Sequence, residues 1–429
     1  MESNNSNDNQ NHQNHQNHQN HESHENHESQ QGQYSGFPQS PQYPPHTHMP
    51  RRRRNVPAII LVLFFLVVGA VVGAYRIGIV VGGGIPALRA TGSPTEVIQF
   101  SQTGINLNIN LLRNAVVVET HNQPHFLVTF APPSRGNYIR PTYEFSQNGM
   151  QLNIVEESRI NVGVGRNNSY NRGVLTVFIP EGIDVAFGNL DISTSSGGID
   201  INADGISLLA SNAYIRASSG RVQTNSFTAG TISLRTSSGT IGACCLTSTD
   251  GDITVAANSG RVTATNITSA NNLNISTSSG NINAENLATP GVLTIGANSG
   301  RITTENVTAS SATIRTSSGS ININNSDVNE GNLTVGSTSG NIRVNVITVA
   351  GDMFISSSSG RQSVDSATVT GNISMESTSG NITLDATRVD GQINGRASSG
   401  NITITGNIDE NRVSLRTTSG RRTVNGTRW

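Results

Sequence analysis

The chain has 429 residues, a formal net charge of −1 and 13% charged residues, below the ~25% of a typical globular domain. A balance this close to neutral argues against a nucleic-acid partner held by a bulk positive field. The two cysteines, Cys244 and Cys245, are adjacent. This arrangement excludes a disulfide framework or a zinc cluster, and we expect two free thiols.

Residues 1–54 form a low-complexity segment rich in Asn, Gln, His and Ser, with a histidine at every third position from His12 to His27. The segment holds too few aliphatic side chains to bury a core, so we predict a disordered tail. A weak metal-binding tract is the alternative, but a flexible tract imposes no coordination geometry. The tail ends in four arginines, Arg51 to Arg54.

Residues 55–75 predict a transmembrane signal anchor. Val56 to Ala74 are uncharged and mainly apolar, and as a helix they would extend ~28 Å, close to the thickness of one bilayer core. The arginines before this span predict a cytoplasmic N-terminus and an extracellular C-terminal part. A cleaved signal peptide is the alternative, but the polar segment before the span is longer than an ordinary n-region. Residues 76–94 would then be a linker.

The part beyond the span carries ten Asn-x-Ser/Thr sequons, which fit a glycosylated, exported surface. An Asn- and Thr-rich repeat also produces such triplets by chance. The ten asparagines are Asn167, Asn266, Asn274, Asn306, Asn324, Asn332, Asn372, Asn381, Asn401 and Asn425.

Residues 95–188 read as alternating strands separated by turn residues, such as INLNINLL from Ile105 and FLVTFA from Phe126. They predict a small β domain that caps a repeat region. Residues 189–429 are that region, in which Ser-Gly and a β-branched residue return about every 20 positions, and this period predicts a β-solenoid of about twelve coils. The repeat glycines, called corner glycines below, are Gly197, Gly220, Gly239, Gly260, Gly280, Gly300, Gly319, Gly340, Gly360, Gly380, Gly400 and Gly420.

Apolar residues alternate with polar ones on both sides of each corner glycine, so we predict two short strands per coil with stacked apolar columns inside. The column two residues after the glycine is apolar except at Gln362 and Arg422. We read Arg422 as a charged end that discourages further pairing. We expect the glycine to supply a positive φ and the serine before it to bond a neighbouring backbone group.

Paired carboxylates raise the possibility of glycosidase chemistry. Glu285 and Glu305, like Asp365 and Asp385, stand five residues after corner glycines on consecutive coils, where stacking would bring each pair to a distance compatible with a retaining glycosidase. Asn and Thr fill the same column elsewhere, which favours a corner-capping role.

No other candidate site survives in the sequence. Asp250-Gly251-Asp252 lacks the remaining ligands of a calcium loop, and His121 and His125 have no partners at metal-ligand spacing. We therefore assign no catalytic, cofactor-binding or metal-ligating residue, and predict that the chain is not an enzyme.

A strip of Arg, Asn, Ser and Thr comes directly after the corner glycines. Such a strip can stabilise the stack through side-chain ladders, which we favour, or bind sugar hydroxyls and acidic glycans. Its members are Arg221, Thr240, Arg261, Asn281, Arg301, Ser320, Asn341, Arg361, Asn381, Asn401 and Arg421.

The stretch VLTVFIPEGIDVAFGNLDISTSSGGIDI, from Val174 to Ile201, resembles the "putative adhesin" family of β-strand-repeat proteins. In that family an irregular β segment ends in an Ile-Pro strand and leads into coils marked by Ser-Gly-x-Ile. The resemblance covers about residues 95–429. It implies a cell-surface β-solenoid of adhesive or envelope-associated role, with no catalytic residue to transfer.

The sequence thus predicts an all-β solenoid of about twelve 20-residue coils, preceded by a small β domain, a transmembrane helix and a disordered tail. Its predicted function is that of a non-catalytic cell-surface scaffold that binds wall, matrix or glycan material through many weak contacts. A membrane-anchored β-helix carbohydrate-active enzyme is the alternative. A sensor in which the exported part reports to the cytoplasmic tail is a third class. We expect polysaccharide or cell-surface ligands, a single-pass membrane attachment and no nucleic-acid partner.

Overall fold

The computed structural model describes residues 96–134, 138–146, 150–157 and 172–429. The predicted tail 1–54, anchor 55–75, linker 76–94 and sequon Asn167 lie outside these residues. Within the described ranges, no helix has the length and apolar character needed to cross a bilayer.

The N-terminal part of the described chain contributes nine strands. They are β1 (Glu96–Phe100), β2 (Ile105–Leu111), β3 (Ala115–His121), β4 (Phe126–Ala131), β5 (Thr142–Phe145), β6 (Gln151–Val155), β7 (Val174–Pro180), β8 (Val185–Thr194) and β9 (Ile199–Asn202).

The repeats continue with twenty further strands and one 3-10 turn, Glu410–Arg412. The strands are β10 (Leu208–Ala217), β11 (Val222–Thr236), β12 (Ile241–Ser248), β13 (Ile253–Ala257), β14 (Val262–Thr268), β15 (Leu273–Thr277), β16 (Ile282–Ala297), β17 (Ile302–Thr316), β18 (Ile321–Val328), β19 (Leu333–Ser337), β20 (Ile342–Val349), β21 (Met353–Ser357), β22 (Gln362–Val369), β23 (Ile373–Ser377), β24 (Ile382–Val389), β25 (Ile393–Ser399), β26 (Ile402–Gly406), β27 (Val413–Ser419), β28 (Arg422–Val424) and β29 (Thr427–Arg428).

The repeats form the predicted parallel β-solenoid of about twelve coils. The strand after each corner glycine pairs in parallel with its equivalent one coil on, so that Ile282 aligns with Ile302 and Ile302 with Ile321. The strand before each corner glycine stacks in the same way, as between Ile253 and Leu273. The aligned residues are fully buried, so each apolar column of the sequence becomes a continuous column of the core.

Most coils contain two strands, as predicted, and a bend within the first strand gives the coil three faces. In the coil of 282–300, face A is 282–285, face B is 287–289 and face C is 293–297. Between faces A and B the inward-outward alternation breaks, because Glu285 and Asn286 are both exposed. Asn286 has a φ of 54°, a left-handed conformation that asparagine tolerates better than most residues. A single residue therefore turns the strand without ending its pairing.

The same left-handed bend recurs six residues after the corner glycine on seven successive coils. These residues are Cys245, Asn266, Asn286, Asn306, Asn325, Val346 and Ser366.

The corner glycines are required by close approach, and the expected positive φ is absent from most of them. A positive φ is found at Gly360 and Gly400 only among the twelve, all of which lie in the described part of the chain. A Cβ built on Gly300 would instead lie 1.6 Å from the carbonyl oxygen of Gly280. Successive corners thus stack backbone on backbone, with no space for any side chain.

The hydroxyl that holds this corner belongs to the residue three before the glycine, not to the serine directly before it. Thr277 Oγ1 donates to the carbonyl of Gly260 at 3.0 Å and accepts from the amide of Gly280 at 3.1 Å. The hydroxyl therefore connects two coils and satisfies a buried backbone donor.

The N-terminal strands extend the same stack in an order that differs from the chain. Strand β2 pairs in parallel with both β6 and β8, and β3 with both β7 and β9. The coil made by β2 and β3 therefore lies between a coil made by β6 and β7 and the first repeat. Strands β4 and β5 pair antiparallel with β7 and β6 and complete the cap.

At the other end, the chain pairs with itself. Strand β28 pairs in parallel with β26 and antiparallel with β29. Arg422, in register with Ile402, turns its guanidinium to the carbonyl of Leu415, with Nη1 donating at 3.1 Å. The free edge of β28 is therefore paired with β29 in a short hairpin, and β28 also carries the charge of Arg422.

Replacing Gln362 with isoleucine is expected to raise the free energy of unfolding by about 0.5–1 kcal/mol. Gln362 is fully buried between Ile342 and Ile382, and its Oε1 has no partner among the described residues. Isoleucine would remove this unpaired acceptor and restore the column. It would also remove the hydrogen bonds that Nε2 donates to Oγ of Ser357 and to the carbonyl of Glu376, which reduces the gain. Urea unfolding measures the change, and the exposed Gln392→Ile is the matched control. An unchanged or lower stability of Gln362→Ile would contradict the prediction.

Candidate ligand-binding groove

A long groove runs along the solenoid where face C meets the corner. One wall comes from the outward residues four before each corner glycine, and the other from the polar residues two before it. Because the residue between them points into the core, the two walls stand apart. In the coil of Gly280 these wall residues are Ser276 and Ser278, and they flank the buried Thr277.

The groove crosses most of the repeats. Its main part has a volume of about 1060 Å³ and is lined on eight successive coils, from the coil of Ser276 to that of Arg416. A second part of about 480 Å³ begins at Ser193. The two parts share Ala257 and Ser278, so they form one continuous channel that is open to solvent.

Two strand-interior glycines line the channel without any steric need for glycine. A Cβ built on Gly296 would have no atom within 4 Å, and one on Gly336 would meet only ordinary contacts at 3.5 Å or more. Neither glycine has a positive φ. Glycine weakens a strand, and where no bend requires it, it marks a place that a ligand or another backbone can approach closely.

The wall residues are chiefly serine, threonine and asparagine, interrupted by charged side chains. In the main part these are Arg315, Glu376, Arg396 and Arg416. Arg315 lies between the coils of Gly296 and Gly336, so neither neighbouring coil presents a side chain at the equivalent position of this wall. No aromatic residue is among those that line the channel in the described chain. Phe354 lies on the same outward face but two residues from the wall.

The predicted Arg/Asn strip lies on another side of the coil, and its asparagines bind neighbouring coils through side chain-to-backbone hydrogen bonds. Oδ1 of Asn281 accepts from the backbone amide of Arg301 at 3.0 Å, and Oδ1 of Asn341 accepts from that of Arg361 at 2.9 Å. The asparagines of the strip therefore stabilise the stack, while a role for its arginine side chains stays a prediction.

Asparagine ladders also explain the sequons. At the left-handed bend, Nδ2 of Asn286 donates to Oδ1 of Asn266, and Nδ2 of Asn306 donates to Oδ1 of Asn286, both at 2.9 Å. Of the sequon asparagines within the described ranges, eight accept a hydrogen bond through Oδ1 from an adjacent coil, so the stack itself requires them; glycosylation stays a prediction. The eight are Asn266, Asn306, Asn324, Asn332, Asn372, Asn381, Asn401 and Asn425.

The carboxylates predicted to pair lie at the bend and outside the groove, where Asp365 is half-buried and the other three are exposed. Glu285 and Glu305 are in register on neighbouring strands, as expected. The strands that carry Asp365 and Asp385 shift register at that point. Asp365 forms an ion pair with Arg343 at 3.8 Å, and Asp385 accepts from Thr405.

The remaining predicted positions have structural partners. Oδ1 of Asp252 accepts from the amide of Asn272, and Oγ of Ser248 donates to the carbonyl of Gly251, so this segment is a corner. His121 Nε2 lies 2.8 Å from the carbonyl oxygen of His125. Within the described ranges, no three His, Cys, Asp or Glu residues come together as metal ligands.

The two cysteines are bonded to each other, which corrects the expectation of free thiols. Cys244 and Cys245 form a disulfide between adjacent residues at the bend. Cys245 occupies the bend position one coil before Asn266, the first asparagine of the ladder. Nδ2 of Asn266 lies 3.9 Å from Sγ of Cys245.

One further carboxylate pair is apparent only in the structure. Glu119 on β3 and Asp200 on β9 are diagonal neighbours on one outward face, since Val117 aligns with Asp200 and Glu119 with Asn202. Partial burial and the charge of Asp200 raise the pKa of Glu119. Burial also raises the pKa of Asp200, against the lowering effect of Arg221. Nothing in the sequence marks this pair, because the two residues meet only through the non-sequential stacking of the cap.

Comparison with solved structures finds similar chains at low identity. A putative adhesin from Parabacteroides distasonis is 13% identical, with 78% of this chain and 97% of that chain covered and a TM-score of 0.18. A putative lipid binding protein from the same organism is 13% identical, with 79% and 96% covered and a TM-score of 0.20. A putative cell adhesion protein from Clostridium sporogenes is 9% identical, with 67% and 100% covered and a TM-score of 0.14. TM-scores this low carry no functional inference.

No curated protein matches the chain. A family model does match, twice in succession, over residues 106–266 and 245–425. The matches include the cap strands from β2 onward and the repeats, and they confirm the resemblance to β-strand-repeat proteins seen from Val174 to Ile201. The chain belongs to the Toastrack DUF4097 family.

Proposed function

We propose that this protein is a non-catalytic, adhesin-like scaffold that binds an extended polymer of wall, matrix or glycan material along the groove. The observation that carries the proposal is the continuity of the channel over many coils, with similar hydroxyl-bearing walls on each. A polymer with its own repeat can make the same weak contact many times, and such contacts add to a high total affinity.

The proposed location is the cell surface. Four arginines at Arg51 to Arg54 precede the apolar span Val56 to Ala74, which supports a single-pass anchor with a cytoplasmic N-terminus and an extracellular solenoid. Protease added to intact cells should then digest the solenoid and spare a tag fused at Met1. Protection of the solenoid would contradict this orientation.

A carbohydrate-active enzyme remains the second candidate, and one observation favours it. Glu119 and Asp200 are neighbouring carboxyls whose pKa values are both raised by burial, and such pairs occur at catalytic sites more often than elsewhere. The pair lies on β3 and β9, away from the residues that line the long groove. An enzyme of this kind would release shorter products from a polysaccharide, whereas the proposed scaffold would not.

Filling the groove should weaken polymer binding strongly without harming the fold. In the double substitution Gly296→Leu and Gly336→Leu, the Cβ at 296 meets no atom within 4 Å, and the Cβ at 336 makes only ordinary contacts with the side chains of Ser356 and Arg315. We expect binding in a polysaccharide screen on the full-length protein to fall about tenfold or more, since the polymer would have to leave the channel at two coils. Circular dichroism should be unchanged.

The matched control is Thr303→Leu with Thr383→Leu, two outward positions on face A. Equal binding by the groove variant and the control would contradict the proposed function. The products of each polysaccharide are analysed in the same screen. Soluble fragments released by the wild-type protein but not by Glu119→Gln would favour the enzyme over the scaffold.

A further inference from the structure

We propose that the groove selects an acidic polysaccharide, whose carboxylate or sulfate groups bind the arginines that line the channel. This inference rests on the proposed function, because it names the class of polymer that the same groove takes.

The channel concentrates positive charge on a protein that is nearly neutral. The charged residues of its two parts are Arg216, Arg235, Arg315, Arg396, Arg416 and Glu376. Five arginines and one glutamate make a net charge of 5 − 1 = +4 along the channel, whereas the whole chain has a net charge of −1. An anionic polymer is therefore attracted to the channel. The strip after the corner glycines also carries five arginines, and what distinguishes the channel is that its positive charge lies in a groove lined on eight successive coils.

Two pairs of these arginines stand on neighbouring strands in register. Arg216 aligns with Arg235, and Arg396 aligns with Arg416. Like charges directly opposite each other destabilise a sheet, and corner stacking does not require arginine, since the same column holds Ser276 and Gly296 elsewhere. An anion bound between the two guanidinium groups would remove the repulsion.

Carboxylates of the protein compensate only one member of each pair. Asp191 lies 3.8 Å from Arg216, and Glu376 lies 3.9 Å from Arg396. Within the described ranges, Arg235, Arg315 and Arg416 have no ion pair, and all three are exposed. Nε of Arg235 donates to Oγ of Ser233 at 3.2 Å, which leaves its two terminal nitrogens as donors. Because the planar guanidinium donates two parallel hydrogen bonds to a carboxylate or sulfate, all three side chains can bind such groups.

The spacing and walls fit an extended polysaccharide better than other polyanions. Arg315 is four coils from Arg235 and five coils from Arg416, or ~19 and ~24 Å at the ordinary spacing of strands. Serine, threonine and asparagine between them offer partners for sugar hydroxyls. Single-stranded nucleic acid is bound through stacking on aromatic side chains, and no aromatic residue lines the described channel.

The test compares two triple variants of the full-length protein that lose the same charge. Arg235→Gln, Arg315→Gln and Arg416→Gln neutralise the channel. Arg301→Gln, Arg361→Gln and Arg421→Gln, the matched control, neutralise exposed arginines of the strip after the corner glycines. The probes are polygalacturonate, its methyl-esterified form, which has the same backbone without charge, and polyadenylate.

We expect polygalacturonate to bind the wild type and the control equally, and the channel variant about tenfold more weakly. Added salt should weaken binding to the wild type, and the esterified polymer should bind it poorly. Equal binding of the two polymers, with no effect of the channel variant, would overturn the acidic class while leaving a polymer-binding groove intact.

The failure of the proposed function has a different signature. If neither polymer bound and filling the groove at Gly296 and Gly336 changed nothing in the wider screen, both the groove and its selectivity would be wrong. Polyadenylate could also bind as tightly as polygalacturonate and lose the same affinity in the channel variant. That result would contradict selectivity for a polysaccharide and indicate a general polyanion site.

Discussion

Replacing Ile302 with aspartate is expected to lower the free energy of unfolding by about 3–5 kcal/mol, the cost of an uncompensated charge in a core. Ile302 is fully buried and lies in register between Ile282 and Ile321. Its neighbours in the column are aliphatic and offer no hydrogen bond, so the carboxyl would be buried either charged or protonated without a partner. Urea unfolding followed by circular dichroism measures the loss.

Thr303→Asp is the matched control, because Thr303 is the next residue along the strand and points outward. It should change the free energy of unfolding by less than about 0.5 kcal/mol. Equal effects of the two substitutions would mean that the strand after the corner glycine does not face the core as the structure has it.

Replacing Gly280 with alanine should cost about 3 kcal/mol or more, although only one methyl group is added. The added Cβ would lie 1.9 Å from the carbonyl oxygen of Gly260, and the corner of Gly300 stacks on Gly280 from the other side. The obstacle is backbone, which cannot rotate away as a side chain would. Neighbouring coils must therefore separate at that corner. Thermal unfolding and the denaturant midpoint should both fall.

Gly296→Ala tests the other kind of glycine. A Cβ there meets no atom within 4 Å, so alanine should leave stability unchanged or raise it by about 0.5–1 kcal/mol. If Gly280→Ala were as harmless as Gly296→Ala, the corner would have room that the structure denies, and close approach would not explain why glycine returns in every coil.

The period of the sequence is enough to predict the solenoid and its core. Alternation alone assigns Ile275, Ile282 and Ile302 to inward columns, and all three are buried and stacked. The inference holds because a parallel stack repeats the same local environment in every coil. Where one repeat departs from the apolar pattern, as at Gln362, the equivalent residues of the other repeats still identify the position as inward.

The third face of the coil is harder to predict, because the bend between faces A and B needs only one residue in the left-handed conformation. Asparagine at Asn266, Asn286 and Asn306 is a signal for that conformation, but Val346 and Ser366 occupy the same place. The column read as corner capping lies directly before this bend. In that column Oδ1 of Asn425 accepts from the backbone amide of Gly406. The capping role of the other residues stays a prediction, and the number of faces was missed.

The groove was missed for a related reason. The sequence shows small residues and arginines at Gly296, Arg315 and Gly336, but a groove exists only because the residue between the two walls turns into the core. The charge of the channel is likewise hidden in the sequence. Arg235 and Arg416 are 181 positions apart. They line the same channel because equivalent residues of successive coils stack in one column.

The sequence by itself determined the all-β class, the period of the coils and the inward columns, since these depend on local alternation and on a repeat that stacks on itself. Tertiary structure alone decided where the chain departs from that repeat. The insertion of β2 and β3 between later strands brings Glu119 beside Asp200, and the stacking of corners makes glycine obligatory. Both result from contacts between segments distant in sequence, which no local pattern records.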